Sequence, residues 1–235
     1  MIKTILITGA SKGIGKRTAE LLATDGHQLV LGSRNTSPLK ELQAQYPDQI
    51  ILQDTDVTVK AQVMALAETA VAKFGKIDVL VNNAGLGHFD LIAEANTDDW
   101  DQMIDVNLKG ALYAIHSVLP GMLAKEKGQI INIASVAGHH IFPRSVVYCA
   151  TKHAIRAISE GLRLENQDKI RITTISPGAV NTSFAENISN ENIRKEFKSY
   201  MAGGLTANTV AEAIKQCIDY PENVTMTEMI IRPKR

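Results

Sequence analysis

Only two cysteines, Cys149 and Cys217, occur in 235 residues, far apart and without metal-ligand spacing, so neither a disulfide framework nor a zinc site is expected to organise this chain. Both are read as buried thiols. Charge of one sign is lacking as well: 25 Lys and Arg offset 25 Asp and Glu, and no basic block stands out, which argues against nucleic acid or an anionic membrane as partner. No run approaches the ~18 apolar residues of a membrane span. Met1, Ile2 and Lys3 lead straight into a strand-like segment with no room for a signal peptide, and a cytoplasmic location is expected. No repeat, low-complexity tract or Pro/Ser-rich linker divides the chain, so residues 1–235 are read as a single domain. No cluster of His, Asp or Glu calls for a metal, and His88, His139 and His140 are read as polar loop residues. With 45% hydrophobic and 21% charged residues, the chain has the composition of a globular protein with a small ligand.

Short β-branched runs recur at Thr4–Thr8, Gln28–Leu31, Ile50–Leu52, Val79–Val81, Ile130–Ile133, Ile170–Ile175 and Met229–Ile231. Helical spacing fills the gaps between them, as from Val106 to Leu123. Such alternation predicts an α/β fold: a Rossmann-type, doubly wound parallel sheet of about seven strands with helices on both faces and ligands at the carboxyl ends of the strands. The least regular stretch, about residues 177–205, carries Phe184, Ile188, Ile193, Phe197 and Met201 and ends in Gly203-Gly204, and it is read as a mobile substrate loop bearing a short amphipathic helix.

Thr8-Gly9-Ala10-Ser11-Lys12-Gly13-Ile14-Gly15 follows the first strand and opens a helix. Glycines let such a turn bend and let a pyrophosphate approach the backbone, while the helix amino end offers free N–H groups. Standing alone, the turn is also compatible with a purely structural role. The Gly9, Gly13, Gly15 spacing resembles the T-G-x-x-x-G-x-G loop of the short-chain dehydrogenase/reductase family. Asp56-Val57, Asn82-Asn83-Ala84-Gly85, Asn107, the Ser135/Tyr148/Lys152 set, Pro177-Gly178 and Thr182 stand in that family's order, so the resemblance spans nearly the whole chain.

The second strand ends in Leu31-Gly32-Ser33-Arg34, and no Asp or Glu occurs between Gly26 and Glu41. A carboxylate at this position holds the ribose of NAD and would repel a 2′-phosphate, whereas arginine attracts one. Arg34, with Lys12 and Ser33, therefore points to NADP(H). The resemblance implies further cofactor contacts from Ser11, Ile14, Asp56, Val57, Asn83, Ala84, Gly85, Pro177, Gly178, Val180 and Thr182. Asp56 as a cap for a helix starting near Thr58, and Asn82–Gly85 as a strand-ending turn, are the plainer alternatives.

Tyr148 and Lys152, four apart in a helical pattern, share a helix face. A phenol with a reference pKa of about 10 carries protons poorly at neutral pH, and a neighbouring ammonium is expected to lower it. Tyr148 is thus the candidate general acid and base for a carbonyl/alcohol pair. Ser135, closing the strand Ile130–Ala134, is placed to hydrogen-bond the substrate oxygen. By resemblance, Lys152 also holds the nicotinamide ribose, and Asn107 holds a water linking Lys152 to solvent. An asparagine satisfied by neighbouring backbone is the alternative for Asn107.

Substrate choice is assigned to Leu86–Ile92, Val136–Arg144, Ala179–Thr182 and the segment that follows. Phe142, Phe184 and Met201 are candidate apolar wall, and Arg144 is either a carboxylate contact or an exposed charge. The ending Thr227–Pro233 departs from that of the acyl-carrier-protein reductases and is similar to that of 3-hydroxy acid dehydrogenases and clavulanate-type aldehyde reductases. The expectation is an NADP(H)-dependent oxidoreductase acting on a small carbonyl or alcohol. A non-catalytic NADPH sensor and a nicotinamide-recycling epimerase or dehydratase are the competing readings. The resemblance also implies a homodimer or homotetramer.

Overall fold

Alternate residues of each central strand serve opposite faces of one sheet, which is why the strands are apolar throughout. The computed structural model describes residues 1–166, 168–188 and 190–234. In chain order its elements are β1 (Thr4–Thr8), α1 (Gly13–Thr24), β2 (Gln28–Ser33), α2 (Lys40–Gln45), β3 (Ile50–Asp54), α3 (Lys60–Phe74), β4 (Val79–Asn82), α4 (Thr97–Ile104), α5 (Ala111–Ala124), β5 (Gln129–Ile133) and α6 (Val146–Asn166). There follow β6 (Arg171–Pro177), β7 (Val180–Asn181), α7 (Glu191–Ala202), β8 (Leu205–Thr206), α8 (Ala207–Asp219) and β9 (Glu228–Ile231).

Seven strands form one parallel sheet in the order β3-β2-β1-β4-β5-β6-β9. Each of the seven expected strands is present, most of them one or two residues longer at an end. Ile5, Ile7, Leu29, Leu31, Val79 and Val81 face α1 and α8, where Ala19, Leu22, Val210 and Ile214 pack against them. Leu6, Val30, Leu80 and Ile130, the residues between, face α3 and α5 through Val63, Leu66, Ile115 and Val118. Each such fully buried aliphatic side chain contributes roughly 1.5–3 kcal/mol. Because β1 lies between β2 and β4, the chain winds outward from β1 in one direction and then the other, leaving a crevice beyond the carboxyl ends of β1 and β4.

Three local features differ from expectation. The helix predicted from Val106 begins instead at Thr97, capped by the Asn96 side chain, and widens into a π turn over Asp105–Gly110 before continuing as α5. The wider turn turns the polar Asn107 into the interior, where periodicity anticipated only apolar residues. Helix α3 begins at Lys60, and Asp56 closes a turn ahead of it: its Oδ1 accepts from the Thr58 N–H at 2.9 Å and the Thr58 hydroxyl at 2.8 Å. The two-residue strands β7 and β8 pair with each other, too short to announce themselves by pattern. Ser183–Asn187 form a 3₁₀ turn, and Glu191–Ala202 form the anticipated helix, α7. Cys149 and Cys217 are buried free thiols. Among the described residues no helix is long and apolar enough to cross a membrane.

Candidate active site

The turn after β1 is shaped by backbone contacts. Gly9 and Gly13 have positive φ of 65° and 55°, a region side chains strain to occupy. A Cβ on Gly15 would lie 2.4 Å from the Gly9 carbonyl oxygen, and one on Gly9 would lie 2.8 Å from Ala84 Cα. The first turn of α1 has no side-chain cap, since Lys12 at the cap position has no acceptor on its side chain. Those donors are open to an anion.

Asn83 binds this turn to the end of β4: its Nδ2 donates to the Thr8 and Gly9 carbonyls at 3.0 and 3.1 Å, while the Asn83 and Ala84 N–H groups both donate to Thr8 Oγ1 at 3.1 Å. A buried polar chain continues across the sheet. Asn82 Nδ2 donates to the Ala111 carbonyl at 3.0 Å and Asn132 Oδ1 at 3.2 Å, and Asn132 Nδ2 donates to Ser159 Oγ at 2.9 Å. Buried amides left without partners would cost ~1–3 kcal/mol each, so this chain locks β1, β4, β5 and α6 in one register.

At the end of β2, the Ser33 and Ser11 hydroxyls lie 2.7 Å apart, with Lys12 and Arg34 exposed beside them. Asp54 stands across from Ser33 in the β2–β3 register, but its Oδ1 is engaged by the Thr36 N–H and hydroxyl at 2.9 and 2.7 Å. Those hydrogen bonds, the hydroxyl's foremost, hold its carboxyl below the ordinary range. The carboxylate is thereby used to fold the loop that carries Arg34.

Lys152 is buried and Tyr148 half-buried, one helical turn apart on α6. Lys152 Nζ donates to the Ile133 carbonyl at 2.9 Å and lies 5.8 Å from the Tyr148 ring centre. Burial pulls Lys152 down to about 8 and pushes Tyr148 up to about 12, the hydrogen bond with the Ser135 hydroxyl acting on the phenol in the opposite sense. The expected depression of the Tyr148 pKa by Lys152 is therefore not seen here: desolvation is the largest effect on the phenol, and the Ser135 hydroxyl, not Lys152, opposes it. Ser135 Oγ also accepts from the Ala137 N–H at 3.1 Å, which fixes the turn after β5. Asn107 is buried, its Oδ1 accepting from the Leu86 N–H at 2.9 Å and its Nδ2 donating to the Leu86 carbonyl at 2.8 Å and Thr151 Oγ1 at 3.2 Å. Its amide is satisfied by protein.

These parts meet on one cavity of about 660 Å³. Of the residues singled out from the sequence, Gly9, Ser11, Lys12, Gly13, Ile14, Ser33, Arg34, Asp56, Val57, Asn83, Ala84 and Gly85 line it, as do Ser135, Tyr148, Lys152, Pro177, Gly178, Val180 and Thr182. Gly15 and Asn107 stand behind the wall, the first against Gly9 and the second against Leu86. His88, His139 and His140 are not on it. Sequence reasoning missed Phe89, Glu196, Phe197 and Tyr200 as wall residues. All four lie in regions assigned to substrate choice, Phe89 in Leu86–Ile92 and the others in the segment after Thr182, but none was singled out as wall.

A family model described as short chain dehydrogenase matches residues 3–193. An uncharacterized oxidoreductase of Staphylococcus saprophyticus is 46% identical, the alignment covering 98% of this chain and 96% of the relative. Among solved structures, the closed form of serine dehydrogenase complexed with NADP+ superposes with a TM-score of 0.92 at 33% identity, covering 98% of this chain and 94% of that one. An alcohol dehydrogenase from the archaeon Thermococcus sibiricus complexed with 5-hydroxy-NADP gives a TM-score of 0.87 at 30% identity, covering 100% and 99%.

Proposed function

The chain belongs to the short-chain dehydrogenase family of oxidoreductases, and we propose that within it this protein is an NADP(H)-dependent enzyme that interconverts a small carbonyl compound and its alcohol, with Tyr148 as general acid and base. The observation that carries this reading is the single cavity in which an uncapped, glycine-turned helix start and the Ser135, Tyr148, Lys152 set share one wall. A dinucleotide fits the residues present: the positive-φ turn gives a phosphate close access to backbone, and Lys12, Arg34 and Ser33 form a donor set suited to a 2′-phosphate, with the neighbouring Asp54 already engaged by Thr36. The NADP complexes of the solved relatives support the same choice.

When bound, the cofactor supplies or accepts the hydride. Tyr148 holds the other half of the reaction. Its half-buried phenol, pushed up to about 12, is protonated at neutral pH and donates that proton to the carbonyl oxygen as the alcohol forms; in the oxidative direction the same oxygen takes the proton back. Ser135 donates a hydrogen bond to the substrate oxygen and so orients it and stabilises its developing negative charge. Lys152, kept within reach of neutrality by burial, favours the phenolate when protonated and returns protons to Tyr148. Asn107 is a positioning residue that ties the Leu86 segment to Thr151, next to Lys152. We take residues 1–235 to work as one unit, with residues 177–205 as the adjustable wall of its substrate end.

Tyr148→Phe tests the reading directly. With NADPH and a panel of aldehydes, ketones and oxo acids, kcat should fall by roughly a hundredfold to ten-thousandfold while NADPH affinity, measured by fluorescence titration, stays within about twofold. Turnover that survives the substitution would overturn the assignment, and tight NADPH binding without turnover of any carbonyl by the unaltered protein would favour a sensor.

A further inference from the structure

Four of the chain's five phenylalanines, Phe89, Phe142, Phe184 and Phe197, line the same cavity. Phe89 stacks on Phe197, centroids 4.1 Å apart and planes 20° from parallel, and meets Tyr148 edge-on at 5.3 Å. Phe184 also meets Tyr148 edge-on, at 5.8 Å. The wall beside the phenol is therefore aromatic on several sides, which suits an apolar substrate body and gives no hydrogen bonds to a small polar one.

Beyond Lys152, two charged side chains line this end of the cavity among the described residues, Arg144 and Glu196, and they are paired with each other at 3.4 Å. The pair is open to solvent, with side-chain exposures of 47% and 73%, so the bond between them is weak. Arg144 has a φ of 61°, a left-handed backbone uncommon for such a side chain, and its carbonyl is held there by the Asp90 N–H at 2.9 Å. A residue in the left-handed region that lines an aromatic cavity, while its guanidinium holds only an exposed, exchangeable carboxylate, has the form of a recognition element.

We propose that Arg144 determines specificity by binding the carboxylate of an oxo acid or hydroxy acid with an aryl or branched apolar body, displacing Glu196. This rests on the reductase reading of the same cavity. The guanidinium fork takes a carboxylate in a bidentate pair, and a ligand carboxylate held inside the cavity is less exposed than that of Glu196. The carboxylate takes no part in the electron transfer: two electrons and a proton reach the carbonyl carbon as hydride, Tyr148 gives the second proton to oxygen, and the acid leaves unchanged. Glu196, displaced but nearby, selects against a second negative charge on the substrate.

Calorimetric titration with hydrocinnamate and hydrocinnamide, which carry no reducible carbonyl, separates recognition from turnover. The acid should bind about tenfold or more tightly than the amide. Arg144→Asn, chosen because asparagine tolerates the left-handed backbone, should abolish that preference, and Glu196→Gln should strengthen it severalfold. Kinetics with benzoylacetate and its methyl ester should show the acid-to-ester ratio of kcat/KM falling in parallel in Arg144→Asn. Equal binding of acid and amide, or a preference unaltered in both variants, overturns the proposal. Carboxylate-selective binding without reduction of acid or ester would support the recognition role of Arg144 and count against the reductase reading instead.

Discussion

At the Gly9–Gly15 end the cavity wall is close-packed main chain tied down by the Thr8 and Asn83 side chains, whereas at the Phe89–Phe197 end it is side chain held by side chain. The first end leaves no room for variation: a single methyl group on Gly15 would meet the Gly9 carbonyl oxygen and Asn83 Nδ2 at 2.4 and 2.6 Å. The second draws rings from three separate stretches of chain, which touch one another through replaceable surfaces. A shared cofactor and an individual substrate ask for this division. A pyrophosphate is met by backbone N–H groups that every member of a fold can present, while a substrate body is met by side chains that can be exchanged without moving the sheet.

Gly15→Ala is the strongest way to break that comparison. With no flexible neighbour to yield, it should destabilise the protein by roughly 1–3 kcal/mol in urea unfolding and weaken NADPH binding along with it. Gly121→Ala, on α5 with nothing within 4 Å of the added Cβ, should instead be neutral or stabilise by up to ~1 kcal/mol. Equal effects of the two would mean that close packing does not define the nucleotide end.

Arg34→Glu sharpens the comparison at the outer edge of the same end, where the wall does use a side chain. Losing one charge-assisted contact and placing a carboxylate beside the 2′-phosphate should weaken NADPH by roughly tenfold to a hundredfold and leave NADH far less affected, as read from the two dissociation constants. Parallel losses for both cofactors would remove Arg34 from the phosphate.

A further, pH-dependent effect concerns Lys152, between the two ends. Its folded pKa of about 8 lies below the ordinary 10.5, so between these values the unfolded chain binds more protons than the folded one, and stability rises with pH by up to about 1.4 kcal/mol per unit. Tyr148, raised from 10 to about 12, has the opposite sign: the folded state keeps a proton that the unfolded chain gives up, and stability falls above about pH 10. Urea midpoints measured from about pH 8 to pH 10 should rise less steeply in Lys152→Met than in the unaltered protein, the difference in slope isolating Lys152 from the other titrating groups. Identical slopes would show that Lys152 is not desolvated in the folded state.

Particular residues mark how far the sequence could be read. The seven strands and the glycine turn were legible because burial on both faces demands unbroken apolar runs, and because Gly9 and Gly13 occupy backbone conformations that exclude most other residues. Asn107 was visible as an anomaly, yet its π turn was not. Glu196 was invisible for a simpler reason: a glutamate on the exposed side of an amphipathic helix looks like any other until Arg144, 52 positions away, is placed against it.

By itself, then, the sequence determined the parallel α/β architecture, the glycine turn and the order of the Ser135, Tyr148, Lys152 set, each of which depends on local chemistry: unbroken apolar runs, permitted φ angles, and the i to i+4 spacing of a helix face. Only the tertiary structure decided the state of that set, because the pKa values of Tyr148 and Lys152 follow from how thoroughly neighbouring elements exclude water from them. It alone decided the character of the substrate end as well, since rings from residues 89, 142, 184 and 197 become one wall only when the sheet brings their loops to the same edge.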